Sequence, residues 1–250
     1  MFSDLIDDFD NYSPGPDKFL DVPFVPTDDP VIEAMLNLAE LRADDVLYDL
    51  GSGDGRIVVA AARDYNASSV GIEIDTVRIA DAMEYAGNSR VEFMVDFIEE
   101  DIFTADISAA TVVTLYLLDT VNVRLRPRLL SELRPGTRII SQLFDMGDWI
   151  ADEQLQLNGI NIYKWIVPAQ VEGAWEWKGL DGTLYQVELQ QKYQAVTGSA
   201  WMADDAVRLE SASLCGCTVE LNIQENDAAP LRNFTLEFAD GELQSILEEV

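Results

Sequence analysis

Leu47-Tyr48-Asp49-Leu50-Gly51-Ser52-Gly53-Asp54-Gly55 is the stretch on which the fold turns. An apolar run over 46–50 stops at glycines set two apart, and a helical pattern starts at once, with Ile57, Val58, Ala61 and Ala62 on one face. A strand covered on both faces reads as such a run. Glycines between a strand and a helix let the backbone turn sharply and lie close against a ligand. Upstream, Pro23-Phe24-Val25-Pro26-Thr27 is stiff and extended, because each proline fixes its own φ and biases its predecessor away from helix. A helix follows, capped by Thr27 or Asp28, with Pro30 near its first turn and Val31, Met35, Leu38 and Leu41 as its apolar stripe.

Downstream, strands are expected at 70–74, within 91–98, and at 111–117, 137–143 and 160–167, with helices over 76–86 and 121–133. Val91-Glu92-Phe93-Met94 and Val95-Asp96-Phe97-Ile98 read as a repeated tetrad, which leaves the register of the third strand open. Strands alternating with helices predict an α/β domain over 22–168: a Rossmann-like, seven-stranded, mostly parallel sheet with helices on both faces. After Pro168 helical periodicity fades. Leu184, Val187 and Leu189, then Val219, Leu221 and Ile223, then Phe234, Leu236 and Phe238 alternate with polar neighbours, and turns are expected at 180–182, 198–199, 203–205 and 240–241. Residues 169–250 therefore read as a small antiparallel β-domain, a barrel or a sheet packed on the first domain. Residues 1–21, acidic and broken by Pro14, Gly15 and Pro16, read as a mobile arm or an irregular lead-in.

Composition narrows the chemistry. The 250 residues carry 46 acids and 16 bases, a formal charge of −30, and no histidine. Without histidine there is no Ser-His-Asp or Cys-His catalysis and no imidazole base or metal ligand. The acids show no metal-ligand spacing, so no metal is expected. The sparse bases form no stripe that could track phosphates, which argues against nucleic acid and anionic membranes as partners. Cys215 and Cys217, two residues apart on one expected strand face, read as reduced thiols. The acidic start lacks the basic and apolar segments of a signal peptide, and no apolar run approaches a transmembrane length, so the expected setting is cytoplasmic with no membrane insertion.

The glycine spacing selects a ligand class. A dinucleotide loop reads G-x-G-x-x-G and holds a pyrophosphate. Here the third glycine comes one residue early and Asp49 precedes the loop. A carboxylate there repels a pyrophosphate and suits a sulfonium and an α-ammonium, which is the pattern for S-adenosylmethionine. Gly51, Ser52, Gly53 and Gly55 form the cradle. Glu73, followed by Ile74 at the end of the second strand, can accept both ribose hydroxyl protons. Asp101 can accept from the adenine amino group, with Ile102 beside the ring.

These residues carry a resemblance. Val46 to Trp149 is similar to the class I, seven-β-strand S-adenosylmethionine-dependent methyltransferases. More narrowly, 22–168 resembles the protein-lysine methyltransferases that include a broad-specificity archaeal enzyme and the mitochondrial enzymes acting on the ATP synthase c subunit and the adenine nucleotide translocase. The matching pieces are 23–27, 49–58, 110–118 (Ala-Thr-Val-Val-Thr-Leu-Tyr-Leu-Leu) and 133–138 (Leu-Arg-Pro-Gly-Thr-Arg). The resemblance implies methyl transfer to a protein lysine, with Asp49 and Glu73 essential for cofactor binding and 23–27, including Pro26 and Thr27, closing over cofactor and substrate. The chain departs from the group by lacking a membrane-anchoring segment, by its trailing β-domain and by about four extra residues at the third strand. Tyr116 and Phe24 are the expected walls of the acceptor pocket, the Tyr116 ring facing an ammonium and its hydroxyl orienting the amine. Two alternatives remain open: a small-molecule or lipid-headgroup methyltransferase on the same fold, and a non-catalytic adenosyl-binding scaffold.

Overall fold

A computed structural model describes residues 24–249. The expected arm over 1–21 and the first proline of the lead-in, Pro23, lie outside the described residues. The chain divides into two compact units, one holding the described residues up to Arg128 with Ile139–Trp165, the other Leu129–Arg138 with the residues from Ile166 onward.

The first unit is built on a seven-stranded sheet in the order β3-β2-β1-β4-β5-β7-β6. Its strands are β1 (Val46–Leu50), β2 (Ser68–Glu73), β3 (Val95–Glu99), β4 (Val112–Leu115), β5 (Arg138–Gln142), β6 (Glu153–Leu157) and β7 (Ile160–Ile166). Four helices connect them: α1 (Asp29–Leu38), α2 (Arg56–Tyr65), α3 (Thr76–Ser89) and α4 (Asp119–Glu132). β1 pairs in parallel with β2 on one side and β4 on the other. The strand order thus reverses at β1, and the carboxyl end of β1 opens into the crevice where open α/β sheets take ligands. Met35, Leu36, Leu47, Ala61 and Val112 are fully buried in one core layer, while Val58, Val59, Ala62 and Ala86 fill another.

The third strand resolves the repeated tetrad: residues 92–94 form a turn, and β3 begins at the second tetrad. In that turn Met94 N donates to Val91 O and Phe93 is left exposed. A strand that the sequence does not announce is β6, paired antiparallel with β7 across Asn158-Gly159. Both turn residues have positive φ, 51° and 85°, the geometry of a two-residue hairpin. β7, next to the edge strand β6, holds Lys164, whose buried amine meets Glu153 at 2.7 Å and Glu40 at 3.1 Å.

The second unit is an antiparallel meander, β14-β13-β12-β11-β10-β9-β8, made of β8 (Gly173–Lys178), β9 (Leu184–Lys192), β10 (Ala195–Met202), β11 (Asp205–Cys215), β12 (Thr218–Gln224), β13 (Arg232–Ala239) and β14 (Glu242–Glu249). The meander folds back on itself. Trp175 and Trp177 of β8 meet Phe238 and Phe234 of β13, with ring centroids 5.0 and 5.1 Å apart, around a core that includes Tyr185, Val187, Leu221 and Leu236. Two expectations are corrected. Gly198-Ser199 is no turn but the middle of β10. A Cβ at Gly198 would lie 2.2 Å from Glu188 O, so the close backbone of β9 requires glycine there. Cys215 and Cys217 do not share a strand face. They flank the β11–β12 hairpin turn at Gly216, neither of them in a disulfide.

Candidate active site

The cleft at the end of β1 is assembled from backbone first. Gly51 and Gly53 have φ of 83° and 53°, conformations that L side chains adopt rarely. Gly51 N and Ser52 N both donate to Ile72 O at 2.9 and 3.0 Å, which pins the loop to the neighbouring strand. Gly53 N donates to Glu73 Oε2 at 2.9 Å, and Glu73 Oε1 accepts from Ile74 N and Asp75 N at 2.8 and 2.9 Å. The acid at the tip of β2 is thus oriented by three N–H groups.

Asp49 sits opposite Thr114 in the β1–β4 register, and Thr114 Oγ1 donates to its Oδ1 at 2.7 Å. Its carboxyl group is fully enclosed. Burial pushes its pKa up, the Thr114 hydrogen bond holds it down, and the nearby Glu73 and Asp54 carboxylates raise it further, to about 7.

The lead-in to α1 forms the facing wall. Thr27 Oγ1 donates to Gln142 Oε1 at 2.8 Å, and Arg56 Nη1 donates to Thr27 O at 2.8 Å. Arg56 is itself held by a two-pronged pair with Asp54, at 2.9 Å through Nε and 2.6 Å through Nη2. The Phe24 ring lies on the glycine loop: a Cβ at Gly53 would stand 2.5 Å from its Cε2. Tyr116, half-buried just beyond β4, has its phenol pKa raised by burial and by the Asp28 charge.

Phe24, Pro26, Thr27, Asp49, Gly51, Ser52, Gly53, Glu73, Ile74, Asp101, Ile102 and Tyr116 all line this one cleft. Gly55 does not line it. A Cβ there would meet the Phe97 ring at 2.7 Å and Ala82 at 2.8 Å, so its role is to let α2, α3 and β3 pack closely behind the loop. Asp101 caps the turn that follows it, accepting from Phe103 N at 2.8 Å through Oδ1. The stretch after β5, 145–149, is structural: Met146 and Trp149 are buried, and Arg126 binds Met146 O and Asp148. The cleft wall also holds Asp54, Arg56, Asp75, Arg78 and Glu100, which sequence reasoning misses. Asp54 and Arg56 adjoin the glycine loop and are within reach of it. Nothing in the sequence marks Arg78, a third residue of a helix.

The ANTKMT methyltransferase domain family matches residues 49–153, which include the loop, both strand-end acids and Tyr116. A protein-lysine N-methyltransferase of Saccharolobus islandicus is 42% identical over 142 residues, 56% of this chain and 88% of the archaeal protein. The chain is an S-adenosylmethionine-dependent methyltransferase of this family. A Salinibacter ruber structure, described as an RNA methyltransferase in complex with S-adenosyl-L-homocysteine, is 51% identical with a TM-score of 0.58 and covers 59% of this chain and 96% of its own. The adenine nucleotide translocase lysine N-methyltransferase of Mus musculus is 29% identical over 52% of this methyltransferase, which spans 56% of the mouse protein.

The site fits the cofactor. Ser52 Oγ is buried without a hydrogen-bond partner, an orphaned polar atom beside the loop. The enclosed Asp49 carboxyl offers a counter-charge to a cation. The positive φ of Gly51 and Gly53 turns the chain tightly at the end of β1, and Leu117 and the Phe24 ring pack where their Cβ atoms would stand. No helix among the described residues is long and apolar enough to cross a membrane.

Proposed function

We propose that this methyltransferase acts on the side-chain amine of a lysine in a protein substrate. The observation that carries the reading is the charge of the cleft. Asp49, Asp54, Glu73, Asp75, Glu100 and Asp101 line it, against two bases, Arg56 and Arg78. Each base is already paired with an aspartate, Arg56 with Asp54 and Arg78 with Asp81. Such a mouth attracts an ammonium and repels a polyphosphate, and a net charge of −30 extends the same field over the molecule. The name of the Saccharolobus islandicus relative supports the reading.

In this reading Gly51, Ser52 and Gly53 cradle the cofactor with their backbone. Glu73, held by its three N–H donors, accepts the ribose hydroxyls. Asp101 and Ile102 flank the adenine, and Pro26, Thr27 and Ile74 close the apolar sides. Bound there, S-adenosylmethionine supplies a methyl group activated by its sulfonium. The chain supplies position and an electrostatic setting for an in-line displacement, which is how a protein without histidine remains an enzyme. The attacking amine must be neutral. Contact with the apolar rings of Phe24 and Tyr116 disfavours its charged form while the cleft carboxylates favour it, and the amine gives its proton to water before it attacks. The Tyr116 hydroxyl, whose pKa is raised, keeps its proton at neutral pH, and its oxygen accepts from an amine N–H so that the lone pair stays free to face the methyl group. Cys215 and Cys217, neither of them in a disulfide, suit a reducing compartment and support a cytoplasmic setting.

A second reading, RNA methylation, is favoured by the description of the Salinibacter ruber structure. Purified protein with radiolabelled S-adenosylmethionine and matched lysates separates the two. Label in protein bands that survives ribonuclease, located on lysine by acid hydrolysis, supports the lysine reading. Label lost with ribonuclease and retained after protease replaces it with the RNA reading.

A further inference from the structure

The cleft wall contains one contact that neither cofactor binding nor methyl transfer directly uses. The Phe24 ring is held by two contacts. Its Cδ2–Cε2 edge lies against the glycine loop, so close that a Cβ on Gly53 would come within 2.5 Å of Cε2 and 2.7 Å of Cδ2. Over its face lies the guanidinium of Arg78, its Cζ 4.1 Å from the ring centroid. Arg78 belongs to α3, the helix that follows Glu73 at the end of β2. Its guanidinium meets Asp81, one turn along the same helix, at 3.2 Å, so its direction is set by its own helix rather than by the ring.

We propose that Arg78 is a positioning residue for methyl transfer: it clamps the Phe24 ring onto Gly53 and so fixes the lead-in segment as the wall of the cofactor site. The proposal rests on the cofactor assignment above and adds to it a residue that neither the glycine motif nor the strand-end acids point to. Three physical features carry it. A guanidinium stacked on a ring face is attracted by the ring quadrupole, more strongly the less water reaches it, and Arg78 is only 23% exposed. The ring it holds touches the loop at the one glycine whose N–H also orients Glu73, so a loose ring loosens that acid's setting. Farther along the segment a second arginine, Arg56, binds Thr27 O. The lead-in is therefore tied at both ends by cations from two helices, and only the Arg78 tie acts through a side chain facing the cleft. Stiff Val25-Pro26 links the two ties, so what fixes Phe24 also fixes the wall.

A double-mutant cycle tests the clamp. Wild-type, Arg78→Ala, Phe24→Leu and the double variant are compared by calorimetry with S-adenosylhomocysteine, by kcat and KM for the cofactor, and by amide exchange of the peptide containing Val25 and Thr27. Arg78→Ala is expected to weaken binding roughly three- to thirtyfold, the range of a stacked cation. Val25 and Thr27 should exchange faster, with the global melting temperature little changed. Arg78→Lys, which keeps a cation above the ring, recovers part of the affinity. In the Phe24→Leu background Arg78→Ala has no further effect. Equal loss from Arg78→Ala in both backgrounds overturns the clamp, because the arginine then acts directly on the ligand. Unaltered affinity and exchange in Arg78→Ala overturn it as well. A wild-type protein that binds no S-adenosylhomocysteine sinks the cofactor assignment itself, a failure distinct from either of these.

Discussion

Burial favours the protonated form of the Asp49 carboxyl, and its pKa of about 7 means that the fold carries a proton there that the unfolded chain gives up near 3.8. The folded state binds more protons across that window. This group's contribution to stability therefore falls as pH rises from about 4 to about 7 and is level above it. A cationic ligand reverses the preference, since the bound state favours the carboxylate. Cofactor affinity is expected to climb by up to about tenfold per pH unit from about pH 5 to about 7, with a proton released on binding. Calorimetry in buffers of different ionisation enthalpy reads both, and Asp49→Asn should flatten the profile and weaken binding. A flat wild-type profile removes Asp49 as the counter-charge. Tyr116 makes a different prediction. Its hydroxyl orients the acceptor rather than holding the cofactor, so Tyr116→Phe should lower kcat about ten- to a hundredfold with little change in cofactor KM. A change confined to KM would assign it to binding.

At the scale of elements, the glycine loop and its facing segment act as one unit. Gly53→Ala puts a methyl group where the Phe24 ring lies and forces a positive φ on alanine. Gly182→Ala, in the turn between β8 and β9 at φ 85° with open space around it, carries the same backbone penalty, about 1–2 kcal/mol, without the clash. Both variants are expected to melt a few degrees lower, and only Gly53→Ala should lose cofactor binding, by about tenfold or more. Equal affinities in the two would show that the ring contact does not shape the site.

The same elements show what the sequence can and cannot convey. Period and punctuation locate β1, α2, β2 and the inward residues of β12 and β13, because burial on one face writes itself into spacing. β6 escapes such a reading although Asn158-Gly159 marks its hairpin, since Glu153-Gln154-Leu155-Gln156-Leu157 is an edge strand with few apolar residues to signal it. Gly198 reads as a turn because a strand glycine required by a neighbouring backbone cannot be told from a turn glycine without the neighbour. Gly55 groups with the ligand loop for the same reason. Its partners, Phe97 and Ala82, come from elements distant in sequence. Arg78 is silent because its meaning lies in Phe24, which is far away in the chain.

At the scale of the whole molecule, charge decides between substrates. The cleft lies wholly within the first unit, and its acids are part of a surplus that runs through the chain. A field of this sign draws a basic polypeptide toward the enzyme and slows the approach of a polyanion. Salt weakens both effects, because the screening length shrinks from about 30 Å at 0.01 M to about 8 Å at 0.15 M. If a lysine-rich protein is the acceptor, kcat/KM for it should fall several-fold over that range, with kcat nearly unchanged, because screening slows encounter and leaves the methyl-transfer step alone. The affinity for S-adenosylhomocysteine, a small ligand held by short-range contacts, should move far less. The same titration with RNA should move in the opposite direction. A rate on protein that rises with salt would mean that this acidity opposes the acceptor, and the lysine reading would then have lost the observation that carries it.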